Sequence, residues 1–487
     1  MMETLKEKTA NSLFWAVLNN GTIQVLNIVF GIVLARLLTP GDYGIVGVLT
    51  IFTLIAGNLQ SGGFSQALIN LKSPQASDYN SVFWFNVIIS IVLYGILWLC
   101  APLIAAFFNQ PVLVDVSRFV FLSFLISSVG IAHAAYMSKN MMNREVAIIN
   151  VVALLCSGIT GVVLAVLGYS YWSLAWQQII YIAVLNLGRY FYVPWRPSLT
   201  IDFGPVRRMF SFSVKIIITN VINTLSGQIL TFIFGRLFPI SWVGLFSQAN
   251  KWNTQAHTFV SGSLLQVAQP VLVTVSDDGA RQHRVFRKML RFTSFISFPV
   301  MLGLALVSRE FIMVALGNQW VDCVPLLRIL CIAGAFMPFY TIFQNLAIGC
   351  QRSDLYLWCN VAQIALQITV ILICYYFFSR SMVIVVAVFS VFLILWLLVW
   401  QAVARRLIGL KLIETLMDVL PFLLITLVVF AATYFLTQAI NDIHALLVCR
   451  IVVAAVLYVA VMKAARVAIF NEAMEFLMMK LQRKRDK

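Results

Sequence analysis

The sequence is short of charge. Asp, Glu, Lys and Arg supply 11% of its 487 residues against 61% hydrophobic residues, with a mean hydropathy of +0.93. Soluble domains carry about a quarter charged residues, so this composition excludes a soluble enzyme and demands lipid as solvent. No polar stretch is long enough to form a separate soluble domain. The eight cysteines (100, 156, 323, 331, 350, 359, 374, 449) form no C-x-x-C pair and have no companion histidines at metal-ligand spacing, so they read as packing residues and no cofactor is expected. The absence of a G-x-x-x-x-G-K-[ST] loop excludes an ATP motor of that kind. Carboxylates are missing from the middle of every apolar run: Asp115, Glu310 and Asp322 all fall near run ends.

What is present is a succession of apolar runs of about 20 residues or more, the length needed to cross the hydrocarbon as a helix. They predict spans over 11–35, 44–70, 81–108, 116–138, 146–168, 172–193, 209–235, 243–272, 292–316, 324–349, 356–378, 383–404, 419–438 and 444–467. The expectation is an all-α integral membrane protein of about fourteen transmembrane helices: a six-helix lobe over 1–200, a second over 201–410, a helix pair over 411–470 and a basic tail over 471–487. The first span lacks a compact apolar core followed by a small-residue cleavage site and reads as retained. Met1–Ala10 and Asn471–Lys487 read as amphipathic segments lying on the membrane surface.

The net charge of +16 admits a nucleic-acid partner in principle, but its placement argues for topology instead. With the N-terminus in the cytoplasm, 25 of the 34 basic residues fall in inside joints and the C-terminal tail, while outside joints hold only Arg36, Arg236, Arg309 and Arg380. Both termini are then cytoplasmic, and the basic side attracts anionic lipid headgroups. The remaining five basic residues, Arg118, Lys215, Lys251, Arg328 and Arg450, fall within spans.

The two halves repeat at an offset of 200, without a gap from 20–66 to 220–266. Asn20 matches Asn220, Arg36-Leu37 matches Arg236-Leu237, Gly44 matches Gly244, Ala56 matches Ala256, Ser61-Gly62 matches Ser261-Gly262 and Gln66 matches Gln266. Asn20, Gln24, Asn27, Gly31 and Ala35 lie on one stripe of the first span, as do Asn220, Thr224, Gly227, Thr231 and Gly235 on the seventh. Lipid penalises such faces, so they must meet protein or water. The eighth span carries the most polar stripe, Gly244, Gln248, Lys251, Gln255, Thr258, Gly262 and Gln266. The second span's counterpart, Gly44, Val48, Ile51, Ile55, Asn58, Gly62 and Gln66, holds no charge. Six spans separate the copies, so the lobes share an orientation and are expected to flank a cavity.

A charge near the bilayer centre costs about 2.5–3.5 kcal/mol even on lenient scales, so Lys251 needs a wet cavity, a neutralising neighbour or a route to the surface. Lys215 is close enough to the cytoplasmic face for snorkelling to compete with a cavity role. Arg118 and Arg328 suit interfacial anchoring or an outer gate. Arg36 and Arg236 end paired helices, where the helix C-terminus itself favours a cation. His133 reads as a packing residue, and His257 as lining or packing. Cations without carboxylates suit an anionic cargo. The candidate binding residues are Lys251, Lys215, Asn20, Gln24, Asn27, Asn220, Gln248, Gln255, Arg36 and Arg236.

Ala35-Arg-Leu-Leu-Thr-Pro-Gly-Asp-Tyr-Gly44, followed by Gly62-Gly-Phe-Ser-Gln-Ala-Leu-Ile69, resembles the start of the polysaccharide exporters of the multidrug/oligosaccharidyl-lipid/polysaccharide superfamily, in particular Wzx-type flippases of the colanic-acid-exporter kind. Ser247-Gln-Ala-Asn250, Gln269-Pro270, Ser276-Asp-Asp278 and Gly317-Asn-Gln-Trp320 extend the resemblance over most of the chain. It implies a MATE-like fold in a bacterial inner membrane. It also implies movement of an undecaprenyl-diphosphate-linked oligosaccharide to the outer leaflet by alternating access, alongside other polysaccharide-assembly proteins. The uncharged second span departs from a symmetrical grip on the diphosphate. Coupling to Na+ or H+ stays open, because neutral oxygens can build a sodium site. An antiporter of small organic cations shares the fold but lacks its mid-membrane carboxylate here. A membrane polymerase or acyltransferase calls for a long outside loop or a partnered histidine, and a scaffold or channel leaves the duplicated stripes without a purpose.

Overall fold

The computed structural model describes residues 5–472 apart from 62, 201, 275–277 and 468. The described residues fold into helices α1 (Leu5–Leu37), α2 (Pro40–Ser61), α3 (Phe64–Asn70), α4 (Ala76–Phe108), α5 (Leu113–Lys139), α6 (Asn143–Val166), α7 (Tyr171–Tyr192), α8 (Gly204–Leu237) and α9 (Ile240–Thr274). They continue through α10 (Gly279–Leu306), α11 (Ser308–Ala315), α12 (Cys323–Gly334), α13 (Met337–Gly349), α14 (Ser353–Ile373), α15 (Met382–Ile408), α16 (Leu412–Thr437) and α17 (Ile443–Ala464). There are no strands among them. The chain is a multi-pass membrane protein: eleven segments are apolar and long enough to cross a bilayer, one of them spanning α12 and α13 together. The number fourteen needs α7, α8 and α9 as well. They have 22, 34 and 35 residues, and the last two carry the polar stripes that lower their hydropathy.

Three predicted spans are broken. The second ends α2 before Gly63, whose φ of 65° is left-handed and whose Cα lies so close to α8 that a Cβ would meet the Ser213 carbonyl at 2.8 Å. The ninth breaks at Val307, and the tenth at Ala335-Phe336, where Pro338 starts α13. Two expectations need correction. Arg281–Arg291 is not a joint but the first three turns of α10, because Phe286 and Leu290 bury one face. Leu5–Ala10 is the beginning of α1, not a separate surface helix. Of the expected tail helix, residues from 473 onward lie outside the described residues.

Two compact units result, Met1–Ser247 and Gln248–Lys487. In the first, α4 packs on α5, α6 on α7, α1 on α6, and α8 on α2, α3 and α4, which carries α8 past the lobe boundary drawn at 200. Polar groups inside a membrane helix bundle must find partners internally. Gln60 does so threefold: its Nε2 donates to Ser90 Oγ (2.7 Å) and the Phe124 carbonyl (2.6 Å), and its Oε1 accepts from Ser127 (2.7 Å). In the second unit α16 lies against α10 and α17, and α15 against α12, α13 and α14. A large aromatic core there runs from Phe286 through Phe339, Phe343 and Trp400 to Phe430 and Tyr458.

Candidate functional site

The TPGDYG segment is a helix start. Thr39 caps α2: its Oγ1 accepts from the Asp42 backbone N–H (3.4 Å), while the Asp42 carboxylate accepts from Thr39 N–H (2.8 Å) and Oγ1–H (2.7 Å), a reciprocal capping box with Pro40 at the first helical position. Asp42 also accepts from Ser170 at the start of α7, tying the α1/α2 elbow to its neighbour. The elbow between α8 and α9 is its counterpart, offset by 200.

The two elbows meet within the first unit. A Cβ on Gly44 would stand 2.0 Å from the Ile240 carbonyl oxygen, and one on Gly244 would stand 1.8 Å from the Pro40 carbonyl oxygen and 3.0 Å from Gly44 N. One turn on, a Cβ on Gly47 would be 3.8 Å from Ser247 Cβ. Only glycine permits this backbone-to-backbone approach, which explains why the repeat keeps glycine at both positions. Gly235 adds a third close approach, to Val48 and Phe108, and Arg236 Nη1 donates to the Phe107 carbonyl at 2.6 Å while Phe107 stacks on Phe232 at 5.2 Å.

The polar stripes divide between packing and exposure. On α1, Gly31 and Ala35 are buried, Gln24 and Asn27 half-buried, and Asn20 exposed. On α8 the stripe interlocks with that of α2: Asn58 Nδ2 donates to Thr224 Oγ1 at 2.6 Å and to the Asn220 carbonyl at 3.4 Å. Part of that face therefore meets protein. Arg36 is exposed at the end of α1, and the Lys215 side chain lies outside the described residues.

The second unit holds the α9 stripe. Gln248 is 1% exposed, yet among the described residues neither its amide nitrogen nor its amide oxygen has a partner. Lys251 is half-buried, and among the described residues no hydrogen bond or ion pair reaches it, so the neutralising neighbour weighed from the sequence is not there. It lies eleven residues into α9, about 16 Å along the axis from the start of the helix. Gln255 is half-buried one turn further, and Gly262 and Gln266 lie outside the described side chains.

Five residues beyond Lys251, Ala256 joins the wall of an apolar cleft of about 510 Å³ between α10, α16 and α17, with Pro299, Gly303, Phe430, Ala454 and Tyr458. Arg450 also lines it. Its Nη1 donates to Glu310 Oε1 at 2.8 Å, both side chains at most 7% exposed, and its Nε donates to Thr437 at 3.3 Å. The sequence placed both charges without pairing them. The other span charges are anchored: the Arg118 guanidinium lies 4.0 Å over the Trp98 ring, and Arg328 Nε donates to Ser308 Oγ at 2.8 Å. His133 is a packing residue, 1% exposed, with Nδ1 3.0 Å from the Val129 carbonyl and its ring among Phe83, Tyr190 and Trp195.

The fold defines a multi-pass membrane protein of the class shared by the flippase MurJ and the multidrug transporters of the MOP superfamily. An inward closed conformation of the lipid II flippase MurJ aligns with a TM-score of 0.71 over 95% of this chain and 99% of that one at 14% identity; an inward-facing MATE transporter aligns with 0.63 over 80% and 98%, also at 14%. More particularly, residues 33–325, over half of the chain, match the family described as polysaccharide biosynthesis protein, and the chain belongs to that family. Its relatives include the lipopolysaccharide biosynthesis protein WzxC of Escherichia coli K12 (24% identity, 76% of each chain) and the teichuronic acid biosynthesis protein TuaB of Bacillus subtilis 168 (22%, 73% and 74%).

Proposed function

We propose that this chain is a flippase that carries a lipid-linked oligosaccharide diphosphate across a bacterial inner membrane, with both termini in the cytoplasm. The observation that carries the reading is Lys251, a cation deep in α9 with no carboxylate partner among the described residues, beside a buried amide, Gln248, that likewise has none among them. A cation left unpaired at such a depth is suited to an anion that comes and goes. A diphosphate supplies that charge, and half-buried Gln255, one turn beyond Lys251, offers a hydrogen bond to sugar. The apolar cleft that begins at Ala256 offers a length of isoprenoid chain a dry wall while the headgroup crosses. Family membership, WzxC, TuaB and the MurJ-like fold support this reading over export of organic cations, and no residue is assigned a catalytic role.

Positive-inside orientation puts the two glycine elbows, and the contact between them, on the outer side. Alternating access then requires them to part. Cells lacking this chain are expected to lose surface polysaccharide and accumulate the lipid-linked precursor, with unchanged tolerance of cationic dyes. Complementation by Ala454→Phe, which fills the cleft from α17, is expected to restore less than a third of surface polysaccharide at equal membrane abundance. Normal precursor levels with heightened dye sensitivity would instead favour the antiporter.

A further inference from the structure

The first turns of α10 and α16 hold an imbalance of charge that neither the fold nor the proposed transport uses. Between 279 and 291, α10 carries Arg281, His283, Arg284, Arg287, Lys288 and Arg291. The nearby carboxylates are already engaged. Asp418, 3% exposed, accepts from Arg287 at 2.6 and 3.2 Å and from Arg291 at 2.6 Å. Glu414 is shared between His283 at 3.3 Å and Arg287 at 3.4 Å, and Glu472 pairs with Lys288 at 2.5 Å. Among the described residues no carboxylate is within ion-pair distance of Arg284 or the Lys411 ammonium.

Those two cations, with His283 and Glu414, line an open groove of about 630 Å³ whose floor includes Gly279 and Gly409. Immediately beyond Lys411, α16 turns a strongly apolar face outward: Leu412, Ile413, Leu416, Met417 and Leu420 are all exposed. A cationic groove continuous with an exposed apolar helix face has the two-part chemistry of a phospholipid, phosphate at one end and acyl chain at the other.

We propose that this groove is a binding site for the headgroup of an anionic phospholipid, its phosphate held by Arg284 and Lys411 and its acyl chains lying along α16. The site is separate from Lys251 and does not depend on the transport reading. Phosphate borne on a lipid and free phosphate share the headgroup chemistry; the exposed α16 face favours the lipid.

The test uses the purified full chain in phosphatidylcholine nanodiscs, with and without phosphatidylglycerol, reading the thermal unfolding midpoint and the lipids retained by native mass spectrometry. Phosphatidylglycerol is expected to raise the midpoint of the wild type by several degrees. Arg281→Gln, which removes a cation of the same helix outside the groove, should keep that gain. The double variant Arg284→Gln/Lys411→Gln should lose most of it and bind phosphatidylglycerol at least tenfold more weakly, while Arg284→Lys/Lys411→Arg retains it and shows that the site tolerates substitution. Equal gains in the wild type and the glutamine double variant would overturn the proposal. So would an equal gain from millimolar inorganic phosphate in pure phosphatidylcholine, which would reduce the site to one for free anions.

Discussion

Replacing Lys251 by Ala or Gln is expected to cut polysaccharide export at least tenfold, with the protein still inserted at normal abundance. Among the described residues the ammonium has no partner, so its removal breaks no ion pair there and relieves a desolvated charge; α9 should be no less stable without it. On the proposed function, what is lost is the contact with the cargo. A hydrogen bond to a charged group contributes about 1.5–3 kcal/mol. At 1.4 kcal/mol per tenfold this corresponds to roughly a 10- to 100-fold weaker grip on the diphosphate. Lys251→Arg keeps the charge and should retain a substantial part of export. Surface polysaccharide per cell, normalised to membrane-inserted protein, reads the effect, and unchanged export in both Ala and Gln variants would remove Lys251 from the mechanism.

A comparable loss is expected from a single methyl group at the elbows. In Gly44→Ala the added carbon lies 2.0 Å from the Ile240 carbonyl oxygen, and in Gly244→Ala 1.8 Å from that of Pro40, in both cases against backbone that cannot rotate away. The helices must separate by more than 1 Å to restore van der Waals distance. Alanine is the better helix former by about 1 kcal/mol, so local helix stability does not predict a loss. The expected result is normal insertion with export reduced tenfold or more in each single variant, because the closed arrangement cannot form. Full export from the Gly44→Ala/Gly244→Ala double variant would show that the contact is not needed in the cycle.

The helices were legible because apolar runs of membrane-spanning length leave little alternative, and every predicted span contains a helix. The breaks were not, since Gly63 is held in a left-handed conformation by its closeness to α8, more than a hundred residues away. Charge hid the start of α10: Arg287 and Arg291 look like a joint until Asp418 is seen to neutralise them from α16. Lys251 could be singled out from its position in an apolar span, but its lack of a partner could not. The repeat pointed to Gly44 and Gly244, though as members of stripes; their mutual contact depends on an elbow geometry that periodicity does not encode. Asn220 was chosen for its stripe, and the structure gives part of that face to Asn58. The pairing of Arg450 with Glu310 spans 140 residues and leaves no local signal.

On the proposed mechanism the two elbows part and rejoin as cargo crosses. Gly47 and Ser247 face each other across the contact, and a Cβ on Gly47 would lie 3.8 Å from that of Ser247, the mean separation in a disulfide. In a background with the eight native cysteines replaced, Gly47→Cys/Ser247→Cys is expected to cross-link under mild oxidation, to stop export while oxidised and to resume it on reduction. Cross-linked protein that continues to export polysaccharide at the reduced rate would contradict the account.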